Sequence, residues 1–181
     1  MKKFKSAFLV TILLVASSLA IAFSGCGKKE LFNYAWNTER SYYIVTSIKD
    51  KDTSGEVVVP ATYNGKPIGA IARHAFEDCY KLTRIKISEG ISQIGQYAFV
   101  RCNCPDIYIP VSVTKFSGAF DHIDENHKYA YNIHYAGTWE QFTNIAHNDA
   151  VSAPETSPNS VIYCTDGIYD TDNGLRYTKR P

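Results

Sequence analysis

Thiols and imidazoles are the side chains of this 181-residue chain best suited to chemistry, with five of each. Cys79 and Cys102 stand 23 positions apart in one slot of a repeated pattern, so their side chains are expected to stack. One reading is a disulfide or a reactive pair. The preferred one is two buried thiols acting as small hydrophobes. Cys102-Asn103-Cys104 has neither the spacing of a Cys-x-x-Cys redox motif nor that of a zinc knuckle. Cys104 and Cys164 lie far apart in sequence, and nothing in their spacing pairs them.

Catalysis by a thiol needs an imidazole beside it and a third group to orient the imidazole. His74, His122, His127 and His134 are scattered, and no His-Glu-x-x-His occurs. A metal site among His122, Asp124 and His127 is weighed against a solvated turn, and the turn is preferred. Asp166, Asp170 and Asp172 near Asn173-Gly174 fail the EF-hand spacing and lack its closing glutamate. There is no Gly-x-Gly-x-x-Gly, no Walker Gly-Lys-Ser/Thr and no Gly-x-Ser-x-Gly. No cofactor, metal or catalytic residue is implied. A formal charge of +1 offers no basic footprint for nucleic acid.

The elements that position these residues follow from a repeat. Ile68-Gly69-Ala70-Ile71 leads to Ala75-Phe76 and Cys79. Ile91-Ser92-Gln93-Ile94 leads to Ala98-Phe99 and Cys102. Val113-Thr114-Lys115-Phe116 leads to Ala119-Phe120 and Ile123. The phenylalanines recur at steps of 23 and 21 residues. A period of this length marks a solenoid, whose coils hide their apolar sides only by stacking on neighbours. Between the Ala-Phe pairs run Leu82-Thr83-Arg84-Ile85-Lys86-Ile87 and Cys104-Pro105-Asp106-Ile107-Tyr108-Ile109. Alternation sends Ile85 and Ile87 inward and Lys86 outward. Val58, Lys86 and Tyr108 should then stand in one outward row flanked by Arg84 and Asp106. Arg84, Lys86, Asp106 and Tyr108 are the candidate ligand-binding residues, and the types suit a protein or glycan partner.

Upstream, Tyr42–Ile48 and Val57–Val59 are rich in β-branched or aromatic residues and read as strands. Asn64-Gly65 predicts a two-residue hairpin turn, because both residues tolerate positive φ. Trp139–Ala146 has helical character, with Phe142, Ile145 and Ala146 on one face. Val161–Cys164 and Ile168-Tyr169 read as strands, and Ser152–Ser160 as a loop.

The first residues are organised for export. Lys2, Lys3 and Lys5 precede an uncharged run from Ala7 to Phe23, then Ser24-Gly25-Cys26. This resembles the secretory signal and lipobox of a bacterial lipoprotein, with Cys26 as the lipidated residue. Two acyl chains would hold such a protein stably at a membrane. Phe23 stands where the lipobox usually carries Leu. Ala20-Ile21-Ala22 offers a rival cut that would yield a secreted protein, and an uncleaved signal anchor is a third reading. All three take the chain out of the cytoplasm.

Taken together, the repeat residues resemble the BspA-like leucine-rich repeat family of bacterial surface proteins. The matching slots are Ile109-Pro110, Ile94-Gly95, Ala98-Phe99-Cys102 and Leu82, with Ser88 departing from the family's proline. The resemblance implies a mainly β fold: a short leucine-rich-repeat solenoid of about two to three coils, with an N-terminal β-hairpin cap and a small C-terminal α/β module. The expected organisation is a signal peptide over 1–25, a lipidated cysteine and tether over 26–41, and a β cap over 42–67. Repeats follow over 68–130, and a C-terminal capping module over 131–181. The resemblance also implies adhesion or protein binding without catalysis, to a ligand on a host or neighbouring cell. Two other functions are weighed: an envelope thiol hydrolase using Cys164 or His134, and a structural assembly partner in the envelope.

Overall fold

A computed structural model describes residues 30–116, 118–120, 130–148, 160–170 and 176–178. The signal segment, Cys26, the His122–His127 segment and Asp172–Gly174 lie outside the described residues.

The chain opens with β1 (Phe32–Asn37) and β2 (Tyr42–Ile48), paired antiparallel. Residues 32–37, expected to run as tether, are thus a strand of the cap. β3 (Gly55–Val59) follows, then β4 (Thr62–Tyr63) and β5 (Lys66–Ile71). The hairpin between β4 and β5 turns at Asn64 and Gly65 with φ of 49° and 72°, as the Asn-Gly pair predicts. β6 (Leu82–Ile87), β7 (Gln93–Ile94), β8 (Asp106–Ile109) and β9 (Asn132–Tyr135) complete the coils. Then come α1 (Trp139–Asn148), β10 (Val161–Cys164), β11 (Gly167–Asp170) and β12 (Arg176–Thr178).

Two sheets form the walls of the solenoid. One runs β1-β2-β5, with β4 and β7 both on β5 and a parallel bridge from Gln93 to Lys115. The other runs β12-β11-β10-β9-β8-β6-β3. In it β3, β6, β8, β9 and β10 are all parallel. Five parallel rungs make about four turns, more than the two to three expected. The difference lies in β9 and β10. Asn132–Tyr135 and Val161–Cys164 alternate outward and inward like β8, so they pair onto the stack as further rungs. β3, expected within the cap, is the first of these rungs.

The core is one column. Phe76, Phe99 and Phe120 are 0–1% exposed and stack with centroids 5.6 and 5.1 Å apart. Each sits in a tight corner that forces the backbone into the left-handed region. His74 and Tyr97 occupy equivalent places with φ of 59° and 55°. The third corner places Gly118 there at φ 68°, where a residue without Cβ is unstrained. Adjacent corners are tied by Phe76 N donating to Ala98 O at 2.8 Å and Phe99 N donating to Ala119 O at 3.2 Å. The alanines keep the coils close enough for these bonds. Gly95 does the same in its slot, since a Cβ there would sit 2.6 Å from Arg73 N. Ser88, in place of the family's proline, donates its N–H to Val59 O at 3.2 Å, a bond no proline makes.

At the far end, α1 starts at a reciprocal cap. Thr138 N donates to Gln141 Oε1 at 2.9 Å, and Gln141 N donates to Thr138 Oγ1 at 3.3 Å. Phe142 and Ile145 turn inward against the column, Phe142 meeting Phe116 at 5.6 Å.

Candidate functional site

The outward face of the β3–β10 sheet carries the candidate residues. Each rung contributes alternate side chains to it, because the others are committed to the core. Parallel, in-register pairing then lines these side chains up in two rows. One reads Val58, Lys86, Tyr108, His134, Tyr163. The other reads Glu56, Arg84, Asp106, Asn132, Val161. Arg84, Lys86, Asp106 and Tyr108 are brought together, as the alternation predicts.

The rows are bonded along their length. Glu56 accepts from Lys86 Nζ at 2.9 Å and from Arg84 Nη1 at 3.1 Å. These bonds, Lys86 first, hold its carboxyl below the usual range. Arg84 and Lys86 approach the Tyr108 ring at 5.5 and 5.8 Å, within reach of a cation–π contact. Tyr108 stacks on His134 at 4.2 Å and 7°, and His134 on Tyr163 at 4.7 Å and 12°. Asp106 Oδ1 accepts from Asn132 Nδ2 at 3.2 Å and lies 3.1 Å from His134 Nε2. The ring faces are turned towards one another, so the ladder presents ring edges and polar groups outward. A shallow cavity lined by Ile87, Glu89, Tyr108, Pro110, His134 and Tyr135 lies beside it.

Glu56, Asn132, His134 and Tyr163 belong to this face, and sequence reasoning left them out. For Asn132, His134 and Tyr163 the signal was the in–out alternation of 132–135 and 161–164, read as part of a separate terminal module and not as rungs; Glu56 shares its face with Val58 in a strand read as cap.

The thiols are elsewhere. Cys79, Cys102, Cys104 and Cys164 are free and buried. Contact with Cys104 and Cys79, together with burial, raises the Cys102 thiol well above its ordinary value. Burial, then the charge of Asp166, pushes Cys164 up to about 12. Tyr163 pairs with His134 across β9 and β10, so Cys164 points inward where His134 points outward. That sheet separates the thiol from the imidazole. Among the described residues no group of three or more His, Cys, Asp or Glu could hold a metal ion. Asp166 instead accepts from Trp139 N at 2.9 Å and ties α1 to the β10–β11 turn. No described helix is long and apolar enough to cross a membrane.

Residues 62–147 match the model of the BspA type leucine rich repeat region, in six copies. That segment is a BspA-type leucine-rich repeat region. Two solved structures are similar. One is the leucine rich repeat protein of T. pallidum, with 22% identity and a TM-score of 0.45, over 59% of this chain and 51% of that one. The other is a leucine rich cell surface protein from Faecalibacterium prausnitzii A2-165, with 18% identity and a TM-score of 0.31, over 62% and 40%. The chain thus spans about half of the first or less of the second. No curated protein matches.

Proposed function

We propose that this is a lipid-anchored, cell-surface leucine-rich-repeat protein that binds a protein or glycan partner on a host or neighbouring cell and catalyses no reaction. The observation that carries this is the bonded ladder from Glu56 through Arg84, Lys86, Tyr108 and His134 to Tyr163. Its side chains are already held by one another, so a partner need immobilise little on binding. Tyr and Arg are the residue types that dominate binding surfaces. The repeat family supports a binding role, and the Cys26 segment supports a tether. A face four to five rungs wide favours modest affinity, which many copies on one cell raise through avidity.

Two measurements test this. Cells displaying the protein with Lys86→Ala and Tyr108→Ala together should attach to host-matrix-coated surfaces about tenfold less well, with an unchanged circular-dichroism spectrum. Undiminished attachment discards this face. Mass spectrometry of the mature N-terminus should find a diacylated Cys26, and a free Phe23 N-terminus would move the protein into the medium.

A further inference from the structure

The two sheets do not end level at the N-terminal side. Beyond β5, one sheet continues for two more strands, β2 and β1. The other stops at β3, with no described strand beyond it. The result is a step about two strand widths deep, roughly 10 Å. It forms a groove of about 490 Å³ lined by Glu30, Leu31, Phe32 and Tyr34 on one wall and Glu56, Val58 and Pro60 on the other.

The β3 wall is an open strand edge. Gly55 N donates to Lys81 O at 3.1 Å, and Val59 O accepts from Ser88 N at 3.2 Å. Gly55, Val57 and Val59 therefore turn their peptide groups towards β6. Alternation turns those of Glu56 and Val58 to the groove. Val58 is 48% exposed, the second most exposed of the large apolar side chains described as exposed.

We infer that this groove takes one extended peptide segment from a partner protein, added as a further strand on β3. Two observations define the occupant. Among the described residues the N–H and C=O groups of Glu56 and Val58 have no strand partner on the groove side, and they are spaced for an extended backbone. The apolar lining asks for an aliphatic or aromatic side chain at every second position of that backbone. A second copy of β3 does not meet the second requirement. Its Val57 and Val59 are 1% and 0% exposed in their own core and have nothing to insert. The peptide that fits has the form apolar-x-apolar, its intervening side chains turned away from the apolar lining.

This groove adjoins the ladder at Glu56 and Val58, so the test reads segment 55–60 and segment 106–109 separately. The full chain is mixed with acetylated, amidated hexapeptides of the pattern Lys-Φ-Thr-Φ-Thr-Lys, with Φ as Val, Ile, Phe or Tyr. Hydrogen–deuterium exchange is followed by mass spectrometry. At least one peptide should slow exchange in segment 55–60 by about tenfold and leave 106–109 unchanged. The same peptide N-methylated at alternate residues should lose the effect. Three results would overturn the inference. One is no protection of 55–60 by any of the four peptides. Another is protection already complete without peptide, which assigns the groove to the chain's own residues. The last is protection that grows with protein concentration alone, which assigns it to a second copy.

Discussion

Phe99→Ala tests the column on which every other feature rests. The Phe99 ring is 0% exposed and stacks on Phe76 at 5.6 Å and Phe120 at 5.1 Å. Truncating a buried phenylalanine costs about 3–5 kcal/mol. Each lost ring pair adds about 0.5–1.5 kcal/mol beyond the area term. Because these contributions overlap, we expect a loss of about 4–5 kcal/mol. Domains of this size are stable by roughly 5–15 kcal/mol, so the variant should sit near the edge of folding. Phe99→Leu keeps most of the volume and loses only the ring geometry, so it should cost about 1–2 kcal/mol. Urea unfolding at constant m-value measures both. The two tryptophans report from opposite ends, Trp36 in β1 and Trp139 in α1. Single-tryptophan versions should unfold at one shared midpoint, because the column couples the ends. A Phe99→Ala cost below about 1 kcal/mol would refute the reasoning.

The other expectations concern charge and thiol reactivity. Asp78 accepts from Arg101 Nε at 2.6 Å, and this bond first of all holds its carboxyl well below the usual carboxylate range. Its folded-state pKa being depressed, the stabilisation is fully present above the unfolded value of about 4 and is lost as pH falls towards the folded value. Asp78→Asn should therefore cost about 1–2 kcal/mol at pH 7 and clearly less at pH 3, by urea unfolding at both. An equal cost at both pH values would show that the charge is not what stabilises. Cys164, pushed up to about 12, should react with iodoacetamide at pH 8 on the order of 10³-fold more slowly in the folded protein than in urea. A native rate within about tenfold of the unfolded one would contradict its burial.

By itself the sequence determined the coil. Ala-Phe pairs at steps of 23 and 21 residues, with alternating aliphatic strands between them, leave a stacked solenoid as the arrangement that buries both sets. The Asn64-Gly65 turn, the Lys86–Tyr108 register and the Phe142 face of α1 were legible for the same reason: each depends on neighbours a few residues away or on an exact repeat. Tertiary structure decided where the stack stops. β9 and β10 carry no Ala-Phe corner, so only their pairing with β8 and with each other revealed them as rungs and carried the outward row on to His134 and Tyr163. It also decided that one sheet runs two strands past the other at the N-terminal end. That difference follows from which strand edges meet in space, and local alternation is blind to it, because a residue's in–out pattern is the same whether its strand is paired on one edge or on two.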